Sequence, residues 1–181
     1  MNIVNKSTAN WRLFGGGGLA IGGFLYALAY LLNKDGDKDV FWMWVISLAI
    51  IGIGFFFVGY GETGSNGAVG GSSTGKLALF ITAGLFLLSA LLDILVHNGS
   101  DVDSSIFDVI QIATIVALAW SALEISNKNV AKGNAAIVLF VVAAWAAFIQ
   151  IMDWSDNLDW WQFFVYGLTI LGTGILYVLN D

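Results

Sequence analysis

Residues 13 to 23 read LFGGGGLAIGG, and the run continues as FLYALAYLL to residue 32. Six of the first eleven residues are glycine, and no charged side chain occurs between Leu13 and Leu32. An uninterrupted apolar stretch of this length matches the roughly 20 residues a helix needs to cross a bilayer core. In water, a glycine inside a helix costs about 0.5–1 kcal/mol relative to alanine. In hydrocarbon the backbone has no water to bond instead, so the segment is helical despite its glycines. What glycine then contributes is closeness. Helices in lipid associate by van der Waals contact, and small residues let their backbones approach.

The rest of the chain reads the same way. Of its 181 residues, 58% are hydrophobic and 11% charged, with a mean hydropathy of +0.81. A soluble domain carries about 25% charged residues, so bilayer is the expected solvent. Six apolar runs stand out: Arg12 to Leu32, Val40 to Tyr60, Lys76 to Val96, Ser105 to Ile125, Asn134 to Asp153 and Trp160 to Leu179. The expected fold is all-α, a polytopic membrane protein of six transmembrane helices. A secretory signal would have a shorter apolar core followed by a small-residue cleavage site. The first run therefore reads as a retained span.

Polar punctuation alternates in character. The segments after spans one, three and five are short and acidic, with Asp35, Asp37 and Asp39, then Asp101 and Asp103, then Asp156 and Asp159. Those after spans two and four are rich in Gly, Ser and Asn and end in lysine. The layout predicts three consecutive helical hairpins, over about 11–61, 75–126 and 132–181, in one membrane-embedded domain. In outline it resembles small six-span bacterial membrane proteins built of hairpin repeats, such as the acid-resistance HdeD group. No motif carries residues over from that group.

Orientation follows from the basic residues. Lys6, Arg12, Lys76, Lys128 and Lys132 fall on the side of both termini, while only Lys34 and Lys38 fall on the other. Both termini are therefore expected in the cytoplasm, with the protein multi-pass in the plasma (inner) membrane. The glycines predict the packing. Gly15, Gly18 and Gly22 form one stripe on span one; span two adds Gly52, Gly54 and Gly59, and span six adds Gly167, Gly172 and Gly174. Spans one, two and six are expected to pack closely. Trp42, Trp44, Trp154, Trp160 and Trp161 mark the outer boundary and Trp11 the inner one, as aromatic belts do. Trp120 and Trp145 lie deeper, where their indole N–H groups need partners.

Chemistry-bearing residues are few. With no cysteine, one histidine and no lysine or arginine deep in a span, general bases and electrostatic clamps are scarce. No enzyme, cofactor or resident metal is expected. A net charge of −6 leaves no reason to expect a nucleic-acid partner. DGDKD (Asp35 to Asp39) begins like a calcium loop, but Val40 stands where the turn glycine belongs and Ile46 where the bidentate glutamate belongs. At most, weak cation binding at the acidic outer loops is expected. GGSSTGK (Gly70 to Lys76) nearly matches a phosphate-binding loop, but Leu77 replaces the magnesium-binding hydroxyl and no strand precedes it.

Polar residues gather one turn inside the outer boundary: Asp93 and His97 on span three, Asp108 and Gln111 on span four, Gln150 and Asp153 on span five, and Gln162 at the start of span six, while Tyr26 and Tyr30 sit at a similar depth on span one. Each pair shares a helix face. An ionisable group within a membrane helix is a functional candidate by default, although a carboxylate one turn deep reaches the interface easily. Two readings follow. In the first, the chain is a packing or accessory subunit that self-associates or joins other membrane subunits, since little of it lies outside the bilayer. In the second, it is a small channel or carrier for cations, protons or small polar solutes, entered through an outer polar vestibule.

Overall fold

The computed structural model describes residues 3–63, 73–128 and 133–179. Six helices occupy them: α1 (Ile3–Leu32), α2 (Phe41–Thr63), α3 (Ser73–His97), α4 (Ser104–Lys128), α5 (Gly133–Trp154) and α6 (Trp160–Leu179). No strand occurs among the described residues, and the fold is all-α. Each helix contains a segment long and apolar enough to cross a membrane, from Leu13–Leu32 in α1 to Trp160–Leu179 in α6. The chain is a multi-pass integral membrane protein. The first three residues of the phosphate-loop look-alike, 70–72, and the third hairpin's start near Lys132 lie outside the described residues, as do the side chains of Lys6, Trp11, Arg12 and Lys128.

α1 begins well before its apolar run. The polar segment preceding Leu13 contains neither proline nor glycine, so nothing stops the helix at the membrane boundary. Hydropathy marks where lipid begins; helix propensity decides where the helix does.

Every helix packs against its neighbours in sequence, and α6 returns to α1, so the six close a ring in chain order. The most extensive contacts are those of α1 with α2 and α6. Large apolar side chains such as Ile21, Phe24, Ile53, Val116 and Ile137 point outward and are exposed. Hydrocarbon solvates them at no cost, whereas in water such a surface would aggregate.

Glycines sit where α1 meets its two partners. A methyl group on Gly15 would lie 2.7 Å from the Val58 backbone nitrogen, one on Gly18 3.1 Å from Gly54 Cα, and one on Gly22 2.9 Å from the Ile51 backbone nitrogen. All three contacts are with α2. The other side of α1 meets α6: a methyl on Gly23 would lie 2.5 Å from Leu171 N, and one on Gly167 2.7 Å from Ala27 N. Gly16 and Gly174 face each other across the same seam. Gly52 and Gly59 instead face α3, against Leu87 and Phe80, and Gly172 has only Val138 of α5 nearby, at 3.8 Å.

The three short turns at the end opposite the termini share a construction. A left-handed residue follows each odd-numbered helix: Gly99 (φ 91°) and Asp156 (φ 57°) come two residues after His97 and Trp154, and Gly36 (φ 75°) four residues after Leu32. After α3, the Ser100 N–H donates to the Leu95 carbonyl and the Gly99 N–H to Val96; after α5, Asn157 donates to Met152 and Asp156 to Asp153. These paired bonds satisfy carbonyls that the helix end would otherwise leave unmatched. An aspartate then opens each even-numbered helix. Asp39 accepts from the Phe41 N–H (3.1 Å), Asp103 from Ser105 (3.0 Å) and Asp159 from Trp160 (2.7 Å). Carboxylates at these positions match both the unsatisfied N–H groups and the positive helix end. The backbone N–H of Ser105 holds the exposed Asp103 carboxyl below the usual carboxylate range.

Candidate functional site

The ring is hollow at its acid-turn end. A cavity of about 300 Å³ lies there, and all six helices line it. Tyr26 comes from α1, Trp44 and Leu48 from α2, Phe86, Ser89 and Asp93 from α3. α4 supplies Phe107, Asp108, Ile110, Gln111 and Thr114; α5 supplies Ile149, Gln150 and Asp153; α6 supplies Phe163 and Tyr166. Leu158 of the last turn completes the wall. Thr114 is the tenth residue after Ser104, the start of α4, which places the deep end about 15 Å down a helix rising 1.5 Å per residue.

One side of the cavity is acidic and amidic. Asp93 and Asp108 are each four residues from a helix end, about one turn deep. Gln150 is 5% exposed, and its Nε2 donates to Asp108 Oδ1 at 3.1 Å, which ties α5 to α4. Asp153 stands nearer the rim and is exposed. No lysine, arginine or histidine is among the described residues that line the cavity, so no cation within it balances these carboxylates.

The facing side is aromatic. Tyr26 packs edge-on against Tyr166 with ring centroids 5.7 Å apart, and Tyr30 lies next to Tyr26 at 5.1 Å. Tyr30 stacks on Phe163 at 4.5 Å and meets the Trp44 ring edge-on at 6.3 Å. Trp44 Nε1 is the one buried side-chain nitrogen or oxygen among the described residues that makes no hydrogen bond. Trp44 also lines a second hollow at the α1–α2 turn, together with Tyr30, Lys38 and Asp39.

Deeper in the ring the core is packed. Ile51, Leu118, Val142 and Ile170 are 0% exposed and Phe55 is 1% exposed. Phe55 stacks on Phe86 at 5.5 Å. Thr82 and Ser121 hydrogen-bond across α3 and α4 at 3.2 Å.

Five of the seven polar residues singled out from sequence line the cavity: Asp93, Asp108, Gln111, Gln150 and Asp153. His97 and Gln162 do not. The His97 ring stacks on Phe41 at 3.8 Å, at the exposed end of α3. Gln162 braces the α5–α6 turn: its Nε2 donates to the Asn157 carbonyl and its Oε1 accepts from the Asp159 N–H, both at 3.1 Å. Both deep indoles have acceptors. Trp145 Nε1 donates to the Gln162 carbonyl at 2.7 Å, and Trp120 Nε1 to Glu124 Oε1 at 3.3 Å.

Sequence reasoning set Tyr26 at the depth of the polar residues but did not assign Trp44, Phe163 and Tyr166 to this cavity. An aromatic residue in a membrane helix reads the same whether it faces lipid, core or a cavity. Among the described residues, no three His, Cys, Asp or Glu side chains come together as a metal-binding group. No family model, curated protein or solved structure matches the chain, so the outline resemblance to hairpin-repeat proteins of the HdeD type stands on layout alone.

Proposed function

We propose that the protein is a small, non-enzymatic membrane carrier that takes a cationic solute into the ring through the acid-turn end. The observation that carries this reading is the cavity itself, to which every helix contributes and which three aspartates line without a basic residue. A concave, low-dielectric site of one charge sign concentrates ions of the opposite sign and loses that effect as salt is raised. The packed core beyond Phe86 favours a carrier over an open channel, because solute that enters meets a wall. Conformational rearrangement of the ring would then be needed for passage. With both termini cytoplasmic, as the basic residues argue, the cavity opens to the outside.

Flux into proteoliposomes of purified protein tests the reading, with Asp93→Asn and Asp108→Asn as controls. Uptake of a cationic solute that falls at least tenfold in either variant, and that weakens with added salt, is the expected result. The competing reading is a packing or accessory subunit, favoured by the short turns that leave little structure beyond the membrane-spanning segments. An inert preparation that consistently co-purifies with one partner would replace the carrier with that subunit.

A further inference from the structure

We propose that the occupant of the cavity is a small organic ammonium ion. The inference rests on the carrier reading and narrows it to a chemical class. Two observations select that class over a bare metal ion or a neutral solute.

The carboxylates are dispersed. Asp93, Asp108 and Asp153 stand on three different helices around the wall, and no three of the described acidic side chains gather as a metal-binding group. A calcium ion takes six to eight oxygens at about 2.3–2.6 Å, and magnesium demands a tighter octahedron. An ion whose charge is spread over alkyl groups requires no such convergence; it needs negative potential on one side.

The opposite wall is aromatic. Tyr26, Trp44, Phe163 and Tyr166 present ring surface to the same space. Aromatic faces attract cations through their quadrupole, and cages of rings are how proteins hold alkylated ammonium groups. A hydrated sodium ion would lose water against this wall and gain little. An ammonium ion clothed in methyl or methylene groups buries apolar surface and keeps its charge satisfied by the aspartates. The volume of about 300 Å³ lies at the small end of ligand pockets, which limits the ligand to a compact one.

Isothermal titration of the full chain in lipid nanodiscs tests this with choline, tetramethylammonium and 3,3-dimethylbutan-1-ol, the last being the neutral carbon isostere of choline. Choline should bind at least tenfold more tightly than the isostere. Tetramethylammonium, which keeps the alkylated charge and lacks the hydroxyl, should likewise bind more tightly than the isostere. Equal binding of choline and the isostere would overturn the inference, as would displacement of choline by equimolar sodium or calcium. If either occurs while carboxylate-dependent flux persists, the carrier reading stands and only the ligand class falls. Neither binding of any probe nor flux of any cation would sink both. The wild-type comparison needs no variant, so misfolding of a mutant cannot obscure the answer.

Discussion

Gly17 and Gly23 differ by six positions and by nearly everything that matters to packing. Nothing lies within 4 Å of where a Gly17 side chain would begin, whereas a methyl on Gly23 would press on the backbone of α6 at Leu171. Backbone cannot swing aside as a side chain does. Gly23→Leu should therefore destabilise the detergent-solubilised protein by about 1–3 kcal/mol, as overpacking generally does. Gly17→Ala should stay within about 0.5 kcal/mol of the parent or gain slightly, since alanine is the better helix former. Thermal unfolding followed by circular dichroism measures both. Equal losses at the two positions would show that composition, rather than location on the seam, sets the penalty. The stripe Gly15, Gly18 and Gly22 is visible in sequence because its members recur every three or four residues. Gly16 and Gly23, which serve the other partner, are hidden among the same glycines, since spacing cannot say that a helix has two close neighbours.

The turns carry the element-scale lesson. At the acid-turn end a left-handed residue follows each odd helix and an aspartate caps the start of each even one. Several of the acidic residues are there to cap helices, whatever else the acidic face does. Two turns use glycine at the left-handed position, but the third uses Asp156 (φ 57°). A residue with a Cβ is strained in that conformation by about 1–2 kcal/mol, although aspartate tolerates it better than most. Asp156→Gly should thus leave stability unchanged or raise it by up to about 1 kcal/mol, while Gly99→Val should lower it, both read by the same thermal unfolding. A clear loss in Asp156→Gly would mean that its carboxylate, and not its backbone, holds the turn. Helix positions were legible because lipid imposes a length on each apolar run. The early start of α1 was not, because a polar helical extension has no hydropathy signature.

At the scale of the whole molecule, the decisive feature is closure. Six helices in chain order would serve equally well as a row of hairpins; the contact of α6 with α1 turns the row into a ring and gives it an inside. Polar residues of the cavity could be read from sequence because a carboxylate or amide amid leucines is conspicuous. Of their aromatic counterparts only Tyr26 could, and the rotations that turn His97 onto Phe41 and Gln162 into the last turn could not. Those depend on how each helix is turned within the ring, which one helix's sequence does not state.

The chain contains no cysteine, so a single introduced thiol reports on its own surroundings. Ser89 lines the cavity on α3, and Ser89→Cys alters one atom. In intact cells, this thiol should react with a membrane-impermeant methanethiosulfonate reagent added from outside, and saturating choline should slow the reaction. Leu118→Cys, at a position 0% exposed, should stay unmodified under the same conditions. A Ser89→Cys thiol that resists the external reagent, or that reacts only when the cytoplasmic face is exposed, would contradict an externally open, ligand-binding cavity inside the ring.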